Sequence, residues 1–100
     1  MSESDEWLRR YYETGDNDHI LQIVRHYGPL VDRFLGQCVR DPQVRVKIWL
    51  GTIHQLRQSR RHPELRWDLN RGTLTGFIFA VAMYLAYRWL VLFEDPREAT

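Results

Sequence analysis

The sequence has one cysteine, Cys38, so neither an internal disulfide framework nor a cysteine-based zinc site can be written through it. That fits a reducing compartment, with Cys38 expected as a small buried filler. Lysine is equally scarce: of the 14 basic residues all but Lys47 are arginine, which favours planar, bidentate or stacked contacts. Charge of one sign is missing too. Fourteen Lys plus Arg against 13 Asp plus Glu leave a net +1, so an electrostatic partner must meet a local patch rather than a wholly basic surface. There is no glycine-rich phosphate loop, because Gly72 and Gly76 fit neither a P-loop nor a dinucleotide fingerprint. His19, His26, His54 and His62 lie in no HExxH or paired-carboxylate context, and no nucleophile has a base beside it in a motif. An enzyme is not expected, and no catalytic residue, metal or cofactor is implied. The start, Met1-Ser2-Glu3-Ser4-Asp5-Glu6, is acidic and lacks the basic and apolar regions of a secretory signal, so a cytoplasmic location is expected.

What is present is enough apolar material for a real core. One hundred residues make one domain, and 44% hydrophobic residues with four Trp supply large areas to bury. Apolar spacing follows the helical period, with no convincing alternation of strands, so the class is all-α, a small bundle of about four helices. Residues 1–15 read as an N-terminal extension or short capping helix, about Asp5 to Glu13, stopping at Thr14-Gly15. Residues 16–95 read as the helical domain and 96–100 as a tail. Asp16-Asn17-Asp18 offers N-caps to a helix with the stripe Ile20, Ile23, Val24, Tyr27, Val31, Phe34, Leu35 and Cys38. Gly28-Pro29 should bend or interrupt it. Asp41-Pro42 reads as N-cap and first residue of the next helix, to roughly Arg57, with Val46, Trp49, Leu50, Ile53 and Leu56 inward. Residues 57–73 are polar and turn-rich, and Thr73 or Thr75 caps a last helix that runs to about Phe93.

That last helix has three readings. Leu74 to Phe93 carries one charge, Arg88, over a length that could span a bilayer. Thr75, Gly76, Tyr84, Tyr87 and Arg88 dilute the run, and no positive flank follows it, which argues against a membrane. A helix apolar all round can instead be buried by its neighbours. Alternatively a stripe of Phe79, Met83, Tyr87 and Leu90 faces a protein partner.

The run His26-Tyr27-Gly28-Pro29-Leu30-Val31-Asp32-Arg33-Phe34-Leu35, followed by Val39-Arg40-Asp41-Pro42, carries a family resemblance. It resembles the first conserved helix of the region 2 domain of extracytoplasmic-function sigma factors. Gly72-Thr73-Leu74-Thr75-Gly76-Phe77-Ile78-Phe79-Ala80-Val81-Ala82-Met83-Tyr84-Leu85-Ala86 is similar to the apolar frame of that domain's final helix. The resemblance implies a role in transcription regulation, binding the RNA polymerase core, single-stranded promoter DNA or both. No minus-thirty-five reader follows Phe93, so independent promoter selection is not expected.

Its polar positions depart from the family. Where the family has an acidic, amide-rich run against the polymerase, this chain has Val46-Lys47-Ile48-Trp49-Leu50-Gly51, and Met83-Tyr84 replaces a family Arg-Asn pair. A retained frame with altered contact surfaces leaves an alternative: a sigma-like protein-interaction module, without DNA binding, for an anti-sigma factor or for self-association. Its candidate contacts are Lys47, Trp49, Leu50, Met83 and Tyr87. For promoter DNA the candidates are Arg57, Arg60, Arg61, Arg66, Trp67, Asn70 and Arg71, with His62 beside them, since cations interleaved with an aromatic ring suit phosphates and stacked bases. Against that, Arg57, Arg60 and Arg61 can merely complement the negative end of the preceding helix.

Overall fold

Helix starts in this chain are set by side-chain oxygens that take otherwise unbonded amides. In a computed structural model, which describes residues 3–66 and 72–93, the helices are α1 (Glu3–Thr14), α2 (Asn17–Leu35), α3 (Pro42–Arg61) and α4 (Leu74–Phe93), with one 3₁₀ turn at Pro63–Leu65. The protein is a small all-α bundle, with no strand among the described residues. Asp16 Oδ1 accepts from the Asp18 amide at 2.9 Å, and Asp41 Oδ1 accepts from the Gln43 amide at 2.9 Å ahead of Pro42. Thr73 Oγ1 accepts from the Gly76 amide at 3.1 Å. A second acceptor at that end is distant in sequence: the buried Asp5 carboxylate takes the Leu74 amide at 2.6 Å. Gly15 ends α1 at φ 71°, where its amide reaches the Tyr11 carbonyl at 2.8 Å.

The α2 stripe is buried at Ile20, Ile23, Tyr27, Val31 and Leu35, at helical spacing. Pro29 does not interrupt α2, which runs unbroken through it. Proline removes the hydrogen bond to the carbonyl four residues back, on Arg25. Arg25 and Pro29 are both exposed, so water can donate to the Arg25 carbonyl in place of the missing amide. Cys38 is also exposed rather than a buried filler, and Val39 turns inward in its stead.

α1 belongs to the bundle itself: Leu8 and Tyr11 lie in the common core, and α1 packs on α2 and α4. The Tyr27 hydroxyl joins three helices. It donates to Ser4 Oγ at 2.8 Å, so its 2.7 Å contact with Thr75 Oγ1 is one in which the threonine donates.

The inward face of α3 differs from the expected one. Val44, Ile48, Thr52, Leu56 and Ser59 are buried, while Val46 and Leu50 are 54% and 58% exposed, with Trp49 and Ile53 half-buried beside the core. The buried hydroxyls are bonded, Ser59 Oγ also across the bundle to the Tyr12 hydroxyl of α1 at 2.8 Å. Thr52 donates to the Ile48 carbonyl and Ser59 to the Leu56 carbonyl, at 2.9 and 2.6 Å. α3 also extends to Arg61, so the first residues of the expected loop are helical.

Candidate functional site

α4 is not buried on nearly all sides. One face, Leu74, Phe77, Ile78, Ala82 and Ala86, enters the core, and the other carries Met83, Tyr84, Tyr87, Val91 and Leu92 to solvent. One neighbour, α1, is too short to follow α4 along its length, whereas α2 and α3 match it. With 12 residues α1 spans about 18 Å, against about 30 Å for the 20 residues of α4. Contacts that tie α4 to α1 and α2 occur near its start, at Leu74, Thr75 and Phe79, whose ring meets Phe34 edge-on at 5.0 Å. The second half rests on α3. There Gly51 lets the two helices approach: a Cβ on it would lie 3.1 Å from Leu85 Cδ1.

A groove of about 350 Å³ opens at this contact, between Lys47 and Gly51 on α3 and Arg88, Trp89 and Leu92 on α4. On the α4 side the Arg88 guanidinium lies over the Tyr84 ring, 5.8 Å from its centroid. No Asp or Glu lines the groove. On the α2 side of α3 a second apolar recess lies between Pro29, Val46 and Trp49. Val46, Lys47 and Leu50 are exposed between the two. Of the expected contact residues, Lys47, Leu50, Met83 and Tyr87 are exposed and Trp49 is half-buried. Sequence reasoning missed Tyr84, Arg88 and Leu92. A signal was available in the spacing of Tyr84, Tyr87 and Arg88, polar-tipped residues three and four apart, opposite the small Ala82 and Ala86.

The expected DNA-contact residues divide. Arg66 is occupied structurally: its Nε reaches the Ser59 carbonyl at 3.3 Å, its Nη2 the Arg60 carbonyl at 2.7 Å, and its guanidinium lies 4.9 Å from the Tyr12 ring centroid. It covers the carbonyl end of α3. Arg60 Nε donates to the Tyr11 carbonyl at 3.1 Å, and Arg57 Nη2 to Asn17 Oδ1 at 2.7 Å. Arg61 is exposed. Trp67, Asn70 and Arg71 lie outside the described residues. Exposed His62 faces Glu64 at 3.4 Å. Among the described residues no group of three His, Cys, Asp or Glu converges on a point that could hold a metal ion.

The segment of the signature run serves architecture. Arg45 Nε pairs with Asp32 at 2.9 Å while its Nη1 donates to the Val39 and Arg40 carbonyls at 2.9 and 3.0 Å, which closes the turn between α2 and α3. Compared with protein-family models, with curated proteins and with solved structures, the chain matches none.

Proposed function

We propose that this chain is a sigma region 2-like binding module in transcription regulation, which docks a protein partner across the outward face of α3 and the second half of α4. The observation that carries this reading is the run of exposed apolar residues on α4, Met83, Tyr84, Tyr87, Val91 and Leu92, beside exposed Val46 and Leu50 on α3. Contiguous apolar surface of this kind is costly to leave wet and marks contact sites. The aromatic anchors Tyr84 and Tyr87 are residue types that dominate interface energetics. By the resemblance, the outward face of α3 is where sigma factors carry the acids that meet the polymerase, and here it bears Val46, Lys47 and Leu50.

The partner is an anti-sigma factor or the RNA polymerase core; Lys47 and Arg88 at the groove match an acidic rim, whereas the family's acids meet a basic polymerase surface, so the polymerase is the less favoured of the two. The experiment is co-elution of the purified chain with bacterial core RNA polymerase, with and without a competing intact sigma factor, and in parallel with an anti-sigma factor. One of the two forms a complex, and Tyr87→Glu with Leu50→Glu abolishes it while leaving the helical content unchanged. A folded, monomeric protein that co-elutes with neither removes the proposal, and a mass that rises with concentration reassigns the face to a second copy. Promoter-strand binding is the weaker reading, since Arg66 already closes the carbonyl end of α3 and lies against the Tyr12 ring.

A further inference from the structure

At the end of the bundle where the turn between α1 and α2 meets the last turns of α3, a polar recess of about 340 Å³ gathers three guanidinium groups, Arg57, Arg60 and Arg61, with the imidazole of His54. No Asp or Glu lines it. From the geometry of this recess we infer a binding site for a terminal phosphoryl group, as in inorganic phosphate or a phosphate monoester. The site is separate from the α3–α4 face.

Three features carry the inference. First, the cations are positioned by neutral acceptors: Arg57 by the Asn17 amide oxygen and Arg60 by the Tyr11 carbonyl. Such bonds orient a guanidinium without cancelling its charge, and no carboxylate lines the recess. Asp16, in the adjoining turn, accepts from the Asp18 amide and does not line the recess. Second, the arginines are surplus to the needs of the helix end. Arg66 alone reaches the Ser59 and Arg60 carbonyls, so the clustering of the other three is not explained by the negative end of α3. Third, the turn, whose glycine is required by its φ of 71°, leaves room for the cluster. Gly15 sits against the Arg60 guanidinium so closely that a Cβ there would lie 2.8 Å from its Cζ. A side chain on that turn would fill the space or displace the guanidinium.

The ligand class follows from charge and access. Three clustered cations are better matched by the two negative charges of a terminal phosphoryl group than by the single charge of a diester. A recess walled by α1, the turn and α3 also accepts a group substituted on one side more readily than one continued on both. His54, Arg57 and Arg61 stand three and four residues apart on one face of α3, so a single helix supplies most of the donors.

Titration calorimetry at fixed ionic strength tests the site, with inorganic phosphate, dTMP and the diester-only dinucleotide dTpdT as probes. Inorganic phosphate, dTMP or both bind saturably, and Arg57→Gln with Arg61→Gln weakens that binding about tenfold. Both residues are exposed, so the variant keeps its fold, checked by circular dichroism. Arg33→Gln, exposed near the far end of α2, removes an equivalent charge and leaves the affinity unchanged. Absence of saturable binding by phosphate and dTMP overturns the inference, as does equal weakening by Arg33→Gln. Binding of dTpdT as tight as that of dTMP overturns the assignment to a terminal phosphoryl group.

Discussion

Two side chains distant from any proposed contact hold the start of α4. Asp5 is 4% exposed, and its carboxylate takes an amide 69 positions away in sequence. An anion at a helix N-terminus also meets the positive end of the helix dipole. Asp5→Ala leaves the Leu74 amide unbonded and costs about 1 to 3 kcal/mol in urea unfolding. Asp5→Asn keeps an oxygen acceptor and loses less. Were the two variants equally destabilised, the carboxylate charge rather than the hydrogen bond would be the cause. Tyr27 works alongside: Tyr27→Phe strips the Ser4 and Thr75 hydroxyls of their shared partner, at a cost of about 1 to 2 kcal/mol by the same measurement.

Among the helices, α2 and α3 show what the residues declare in advance and what they conceal. Asp16 and Asp41 announce their helices because an acceptor must precede the first free amides, a local requirement that spacing displays. The inward face of α3 was concealed, since ranking by hydrophobicity selects Val46 and Leu50 over Thr52 and Ser59. A hydroxyl that bonds its own helix can be buried, and that depends on the rotamer rather than on residue type. The contact face was half legible: Met83 and Tyr87 stand out in an apolar helix, whereas the exposure of Leu92 depends on how the end of α4 packs against α3. The basic recess was legible as an arginine cluster, but its neutral anchors Asn17 and Tyr11 come from another part of the chain. Pro29 interrupts the hydrogen-bond ladder of α2 without breaking the helix, so Pro29→Ala restores a bond at an exposed position and raises stability by about 1 to 3 kcal/mol. An unchanged or lowered unfolding midpoint would mean that the proline ring contributes packing against Trp49 that outweighs the missing bond.

For the whole molecule, α4 is divided between core and surface. Leu74–Leu92 is apolar and long enough to cross a membrane by composition, and 33% of that span is buried in the bundle. Withdrawing α4 into a bilayer would strip Leu74, Ile78, Ala82 and Ala86 from the core and leave Asp5 buried without its Leu74 amide. A bundle that keeps α4 in place and offers only its outer face retains those interactions. The molecule then presents two unlike ends: an apolar groove where α3 begins and α4 finishes, and a cationic recess where α3 finishes and α2 begins.

The reach of Asp5 to Leu74 makes the first helix and the last a single opening unit. Native-state hydrogen exchange reads this directly: the Leu74 amide, bonded to α1 rather than within its own helix, becomes exchangeable whenever α1 swings away. Its protection should therefore track that of the α1 amides under mild denaturant, and fall with theirs in Leu8→Ala, which removes the side chain that anchors α1 in the core. A Leu74 amide that kept its protection while α1 exchanged freely would show the two helices opening independently. The beginning of the chain thus acts as a latch on its last helix, and one backbone proton reports whether the latch is closed.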